Sequence, residues 1–317
     1  MYWMVPTFFI VGAPKAGTTS LYHYLDQHPE IYMSPIKEPS YFASELRPEN
    51  FHPRFQTRFF QEQESVRQYL AGPMAVKRFG GPVVDWEGYA RLFQNARKGQ
   101  AIGEASASYL WSASAAQNIS SRIPGARIVM MLRDPAERAY SQYLRVVSDG
   151  LVRHSFREQL RQSLNGESSQ FDVLNPLLEF GLYSAQLDRY LKAFPARNVR
   201  VYLYEDYKQN PSETLADLFR FLSVDTSFQP DMSRRMMEPH IPQYVSAAYF
   251  LKRFGLWQRV KRWSPPLVRR SLRVLAFRKR TSFALNAEDR QALRKYYRDD
   301  TLRLSKMLGR NLDAWLA

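Results

Sequence analysis

Residues 12–20, Gly12-Ala13-Pro14-Lys15-Ala16-Gly17-Thr18-Thr19-Ser20, put two glycines, a lysine and three hydroxyls at the end of an apolar run. A glycine loop that runs into a helix turns backbone N–H groups toward one point, and that point attracts an anion. A phosphate site is the reading that uses every one of these residues, whereas a plain connecting turn needs neither the lysine nor the hydroxyls. The spacing also limits the phosphate chemistry. A nucleotide-binding loop of the form G-x-x-x-x-G-K-[ST], aligned on Gly12 and Gly17, puts Thr18 where its lysine belongs, and the lysine stands inside the loop at Lys15. A P-loop-like nucleotide kinase would lose its clamp on the β- and γ-phosphates, so Mg-assisted phosphoryl transfer is disfavoured. A second candidate, Arg133, closes the run 126–132, apolar except at Arg127, at the place where open α/β sheets bind ligands. Its alternative role is structural, capping a helix or pairing with Asp134.

These residues need elements to hold them. Residues 7–11 read as a strand, 12–17 as a turn, and 18–27 as a helix with Leu21, Tyr24 and Leu25 on one face. A second unit runs from the apolar strand 126–132 into a helix to about residue 147, with Asp134 as N-cap and Pro135 at its first position. A third has a strand over 199–204, then Asn210 capping a helix that starts at Pro211 and turns Leu215, Leu218, Phe219 and Leu222 inward. Three apolar strands, each followed by a helix, predict a parallel sheet covered on both faces. Near the end, Asn286 caps a helix carrying Leu293, Tyr297, Leu304 and Leu308 at helical spacing. The segment 239–286 has imperfect periodicity and its structure stays open at this point.

Composition bounds the function. The 317 residues are 45% hydrophobic and 24% charged, ordinary globular values that exclude general disorder. With no cysteine there is no disulfide, thiolate metal site, catalytic thiol or redox couple. His23, His28, His52, His154 and His240 show no H-x-x-x-H spacing, so no metal is expected. No apolar stretch reaches the roughly 18–20 residues of a membrane span, and the run 8–11 is too short for a signal-peptide core; a soluble, cytoplasmic, unprocessed chain is the expectation. The charge is +15, and its placement is uneven: residues 239–287 contain no acidic side chain, and 249–280 hold eleven Lys and Arg. Aromatics are interleaved there, which suits an anionic membrane surface, peripheral at the inner face, or an acidic polymer. A solvated basic lobe is the plainer reading. Nucleic-acid binding fits the charge but leaves Lys15 and Arg133 unused, so it is the weaker alternative.

The loop P-K-x-G-T-[ST]-S around Lys15 resembles the phosphosulfate-binding loop of sulfotransferases that use 3′-phosphoadenosine 5′-phosphosulfate (PAPS). Residues 127–141, with Arg133 at the strand end and Ser141 eight residues on, look like that family's second signature. His28-Pro29-Glu30-Ile31 followed by Lys37-Glu38-Pro39-Ser40-Tyr41-Phe42 is similar to the bacterial members and to the heparan sulfate and other carbohydrate sulfotransferases. Gly103-Glu104-Ala105-Ser106-Ala107-Ser108-Tyr109-Leu110 and Tyr204-Glu205-Asp206-Tyr207 match in character. The resemblance spans residues 7–222 and, faintly, the last helix. It implies an α/β, P-loop-like three-layer fold with a central parallel sheet flanked by helices. The expected organisation is a PAPS-binding core over 1–240, with a basic segment and C-terminal helix over 241–317 packed on the same domain.

The resemblance also implies roles. Lys15, Ala16, Gly17, Thr18, Thr19 and Ser20 would hold the 5′-phosphosulfate, Arg133 and Ser141 the 3′-phosphate, and Glu38 would be the base. The chemistry is consistent with that assignment. Charge grows on the leaving phosphate during sulfuryl transfer, and a lysine with helix N–H groups can stabilise it without a metal. A carboxylate opposite the leaving group can take the acceptor's proton. A surface carboxylate paired with Lys37 is the alternative for Glu38, while His23 and His28 read as packed or capping histidines. Lys37, Glu104, Ser106 and Tyr109 are expected to face a hydroxyl-bearing acceptor, a carbohydrate or a lipid-linked or small metabolite. Ala105 stands where heparan-modifying relatives carry a lysine, and Ser40 where a histidine is often found, so acceptor recognition should differ from theirs. Arg269-Arg270 and Arg278-Lys279-Arg280 are the candidates for a later donor-covering loop.

Overall fold

Strand β1, Phe8–Gly12, has no polar side chain and is fully buried, which requires cover on both faces of the sheet it belongs to. The computed structural model, which describes residues 4–50, 53–149, 151–152, 154–166, 176–233, 241–242, 277–278 and 284–317, supplies that cover with helices. β1 lies at the centre of five parallel strands. With β2 (Ile31–Met33), β5 (Ala101–Ala105), β6 (Arg127–Leu132) and β7 (Val199–Leu203), the order is β2-β5-β1-β6-β7. The register runs Phe8 opposite Gly103 on one side and Arg127 on the other. A two-stranded parallel ladder of β3 (Ile36–Lys37) and β4 (Arg78–Phe79) lies beside the sheet.

Topology decides where a ligand can enter. After β1 the chain passes through helix α1 (Thr18–Leu25) to β2 on one side of the sheet, whereas after β6 it passes toward β7 on the other. Connections leaving adjacent strands in opposite directions open a crevice at their carboxyl ends, which is where such sheets bind ligands. The loop 13–17 and Arg133 flank that crevice.

The predicted β1–α1 and β6 units form with boundaries shifted by about a residue. Helix α5 (Pro135–Ser148) begins as expected: the Asp134 carboxylate accepts from the Ala136 and Glu137 N–H groups at 2.8 and 3.2 Å, with Pro135 at the first position. The third unit departs in two respects. β7 is the sheet edge and leaves Arg200 exposed, so it is not fully apolar. It ends at Leu203 because a short helix, α8 (Tyr204–Gln209), intervenes before α9 (Pro211–Leu222). Asn210 therefore closes one helix while opening the next: its N–H donates to the Asp206 carbonyl, and its side chain makes no cap to α9.

The C-terminal helix, Ala287–Leu308, is capped by Asn286, whose side chain accepts from the Asp289 N–H at 2.7 Å. Its Leu293 and Tyr297 join a second apolar cluster with Tyr143, Leu144 and Val147 of α5, while Leu304 reaches the main core. The basic segment 249–280 lies outside the described residues apart from the backbone of Phe277–Arg278, which pairs with Ile241–Pro242; Arg269-Arg270 and Lys279-Arg280 lie outside them as well. Among the described residues no helix is long and apolar enough to cross a membrane.

Gly103 shows how tightly β5 is sandwiched. A Cβ there would collide with the Phe8 ring and stand 2.5 Å from the Met33 sulfur. Neither neighbour can retreat, since both are fully buried. Gly103→Ala should therefore cost about 1–3 kcal/mol through overpacking, read as a lower urea midpoint at unchanged m-value.

Candidate active site

The loop after β1 owes its shape to two left-handed residues. Gly17 has φ +90°, and a Cβ on it would meet the Tyr204 ring at 3.0 Å, so glycine is required there. Lys15 has φ +68° without that freedom, a strain of about 1 kcal/mol or more that marks it as held by its surroundings. Gly17 also occupies the N-cap of α1 and offers no side-chain cap, so the first-turn N–H groups of Thr18, Thr19 and Ser20 stay available. Thr18 is buried, while Thr19 and Ser20 are partly exposed.

Arg133 fixes the loop from the other side of the crevice. Its guanidinium donates to the Lys15 carbonyl at 3.1 Å, lies over the Tyr204 ring at 4.9 Å, and reaches Glu137 at 3.7 Å. It pairs with Glu137 one helical turn on, not with Asp134, whose carboxylate is engaged by the helix N-terminus. Tyr204 touches both Gly17 and Arg133, which gives the 204–207 motif its place. Next to it, Glu205 accepts the Asp134 N–H at 3.1 Å, and burial pushes its carboxyl upward. Ser141 stands in the second turn of α5, partly exposed.

The loop's charge is uncompensated. Among the described residues Lys15 has no ion pair, and burial, followed by the charges of Arg145 and Arg133, pushes its ammonium down to about 8. Lys37 adds to the same positive potential, against which Asp149 acts in the opposite sense. Arg145 was not among the sequence-derived site residues. Its position four after Ser141, on the same face of α5, is the signal that could have found it.

The Glu38 loop is built on the end of β5. The Glu38 N–H donates to the Ala105 carbonyl at 2.8 Å, and its Oε2 accepts from the Ala107 N–H at 2.8 Å. Its Oε1 pairs with the buried Lys37. The pairing with Lys37 foreseen as the alternative thus exists, but the carboxylate is held on both oxygens and retains about a third of its exposure. Glu38 and Ser40 both take left-handed backbone, φ +67° and +54°.

Three residues expected to face the acceptor lie beneath the site. Glu104, Ser106 and Tyr109 have no exposed surface and so present none to an acceptor in this structure. Lys37 is buried under Glu38 in the same way. The sequence put them near the cleft, and the register of β5 against β1 leaves Glu104 buried. Burial pushes the Glu104 carboxyl up to about 8. His28 is a packed histidine: it is buried between Phe219 and Phe228, with Nε2 at 2.9 Å from the Asp225 carbonyl. Among the described residues no three His, Asp or Glu side chains are grouped as metal ligands.

A cavity of about 690 Å³ along the C-terminal helix is lined by Arg290, Arg294, Lys295 and Arg298 together with Leu285 and Leu316. It contains none of the residues discussed above. Its connection to them is electrostatic: Arg290 binds Glu137 at 2.6 Å, and Glu137 in turn faces Arg133. No sequence spacing announced that link, since its partners stand about 150 residues apart.

Residues 6–229 match the model of the Sulfotransferase family. Human carbohydrate sulfotransferase 15 is 28% identical over 263 residues, covering 69% of this chain and 44% of that protein. The human bifunctional heparan sulfate N-deacetylase/N-sulfotransferase 3 is 26% identical over 98% of this chain and 31% of its own length. The chain thus spans less than half the length of these curated relatives. A solved sulfotransferase from Alicyclobacillus acidocaldarius aligns over 99% of this chain and 100% of its own, with 30% identity and a TM-score of 0.71. With that family's model matched over residues 6–229 and a 30% identical sulfotransferase aligned over the whole length of both chains, the chain belongs to the sulfotransferase family.

Proposed function

We propose that this sulfotransferase takes PAPS as its donor and transfers the sulfuryl group to a hydroxyl of a carbohydrate or of a lipid-linked or small-metabolite acceptor. The observation that carries the reading is the largely desolvated Lys15, without an ion pair among the described residues, beside Arg133, Arg145 and Lys37. Like charges gathered beside free helix N–H groups favour a multiply charged anion. PAPS is one, with a 5′-phosphosulfate for the loop 15–20 and a 3′-phosphate for Arg133 and Ser141. A nucleotide kinase would need a lysine at position 18, where this chain has Thr18.

In this reading, the bond between sulfur and the bridging oxygen of the donor breaks as a new sulfur–oxygen bond forms to the acceptor. Lys15 and the first-turn N–H groups of α1 take up the charge that grows on the leaving 5′-phosphate. The acceptor's proton passes to Glu38, and adenosine 3′,5′-bisphosphate (PAP) leaves. Each Glu38 oxygen already accepts one hydrogen bond and keeps a further lone pair for the hydroxyl. No metal enters this scheme, so turnover should persist in EDTA.

Lys15→Ala and Glu38→Gln should each lower kcat by about 10²-fold or more, with the glutamine variant binding PAP as wild type does. Near-normal turnover of Glu38→Gln would remove it as the base. Arg133→Ala should weaken PAP while leaving adenosine 5′-phosphosulfate, which has no 3′-phosphate, almost unaffected; equal weakening would make the arginine structural. Thermal shift with PAP, ATP with Mg²⁺ and an oligonucleotide separates the donor, kinase and nucleic-acid readings.

The Lys15 ammonium also sets a pH dependence. In the free protein it loses its proton near pH 8, and a bound polyanion favours the charged form, so donor affinity should fall as pH rises through about 8. PAP binding at pH 8 should accordingly take up protons, measured calorimetrically in buffers of different ionisation enthalpy; binding without proton uptake would assign the contact elsewhere. The same reading includes a cytoplasmic enzyme peripheral at an anionic membrane face through 249–280. Binding to anionic vesicles that weakens with salt tests it, and indifference to both vesicles and soluble polyanions removes it.

A further inference from the structure

Glu104 is buried at the end of β5, with no ion pair among the described residues. Its Oε2 accepts from the Tyr89 hydroxyl at 3.3 Å, and its Oε1 has no hydrogen-bond partner. The hydroxyls of Ser106 and Tyr109 lie against the same carboxyl. Those two hydroxyls have a second task. Ser106 Oγ accepts the Ser40 N–H at 3.0 Å, and the Tyr109 hydroxyl accepts the Phe42 N–H at 3.2 Å. A hydroxyl that accepts from a backbone N–H keeps its own proton to direct elsewhere, and the Glu104 carboxyl is the acid beside both. The buried carboxyl thus stands behind both hydroxyls that hold the loop 38–42.

That loop is the one that carries Glu38, and it needs holding. Glu38 and Ser40 are both left-handed non-glycine residues, conformations that persist only where surrounding bonds fix them. We propose that Glu104 is a positioning residue: as a neutral carboxyl it fixes the hydroxyls of Ser106 and Tyr109, and through them the loop that aims Glu38 at the acceptor. The inference rests on the reading of Glu38 as base. It differs from the role expected for Glu104 from the sequence, which was contact with the acceptor.

The charge state follows from the surroundings. The titratable groups facing Glu104 are Tyr89 from helix α3 (Trp86–Arg91), Tyr109 from the turn after β5, Tyr190 from helix α7 (Tyr183–Ala193), and Glu38. Two cations on or beside these elements are committed elsewhere. Lys37 binds Glu38, and Arg189 donates to the Leu110 and Trp111 carbonyls. An isolated buried carboxylate is costly, so the proton stays on through neutral pH, and burial accordingly moves the group up to about 8. Above that pH a second negative charge appears beneath Glu38 and close to a polyanionic donor.

The test uses PAPS turnover and PAP binding on the full chain. Glutamine reproduces the neutral carboxyl, so Glu104→Gln should keep kcat at pH 7 within about threefold, whereas Glu104→Ala should lose about tenfold or more with PAP affinity unchanged. Should the alanine variant fail to fold, Tyr109→Phe removes only the hydroxyl and should lower kcat in the same selective way. Between pH 7 and 9, donor kcat/KM should fall about tenfold more in wild type than in Glu104→Gln, the residual fall belonging to Lys15. Parallel pH profiles, full kcat in Glu104→Ala and Tyr109→Phe, or PAP affinity falling in step with kcat would each overturn the proposal. Wild-type protein that does not bind PAP, or turnover indifferent to Glu38→Gln, would instead overturn the donor or base reading, and both are read before any Glu104 variant is made.

Discussion

Four cations meet at the carboxyl ends of β1 and β6, and their mutual repulsion is the constraint that the surrounding structure answers. Lys15, Arg133 and Arg145 come from two different units of the fold, and Lys37 from a third. Nothing in isolation would bring them together. What does so is the apolar pairing of β1 with β6, whose buried side chains supply far more favourable free energy than the few kcal/mol of repulsion between partly solvated charges. The framework then limits the repulsion locally. Arg133 is tied to Lys15's carbonyl, with its guanidinium over the Tyr204 ring and Glu137 beside it. Lys37 is neutralised by Glu38. Lys15 alone is left without a carboxylate among the described residues, so the loop keeps a net attraction for an anion.

Glu137 has a part in that balance. A carboxylate this near the crevice would repel an incoming phosphate, but its other oxygen is taken by Arg290 from the C-terminal helix. The helix is therefore more than cover for α5. Its Leu293 and Tyr297 dock it, and its arginine offsets the acidic side chain that pairs with Arg133. In this way a segment some 150 residues further on joins the electrostatics of the first two motifs.

Much of the framework was legible because it depends on local signals. Asp134-Pro135 announces a helix start wherever it occurs after an apolar strand, and Gly17 announces a left-handed turn before a helix. Asn210 misled because one residue serves two helices, and the short α8 hides in a sequence that reads as a strand continuing to Tyr204. β2 was invisible as an element: three residues are too few for periodicity, and pairing with β5 decides their state. In the site, Lys15 and Arg133 could be found from position alone, since strand ends face the crevice. Glu104 could be found too, but its direction could not. Whether a carboxylate at a strand end looks into the cleft or into the core depends on the register of β5 against β1, which is a tertiary fact.

The inward direction of Glu104 explains why the loop bearing Glu38 can afford two strained residues. Backbone bonds alone give 38–42 a few attachments: the Glu38 N–H to the Ala105 carbonyl, the Val83 N–H to the Pro39 carbonyl and the Ala43 N–H to the Ser40 carbonyl. The hydroxyls of Ser106 and Tyr109 add two more from the core side, and the Ala107 N–H adds one directly to the Glu38 carboxylate. All three donors and acceptors belong to the six residues that follow Gly103 in the chain. That stretch is therefore a template, with its backbone shaping the Glu38 carboxylate from one side and its side chains shaping the loop from below. A carboxylate held on both oxygens by groups of a buried strand end has little freedom to swing. Under the proposed role of Glu38 as base, its reach toward an acceptor is set by the sheet and not by the flexibility of a loop.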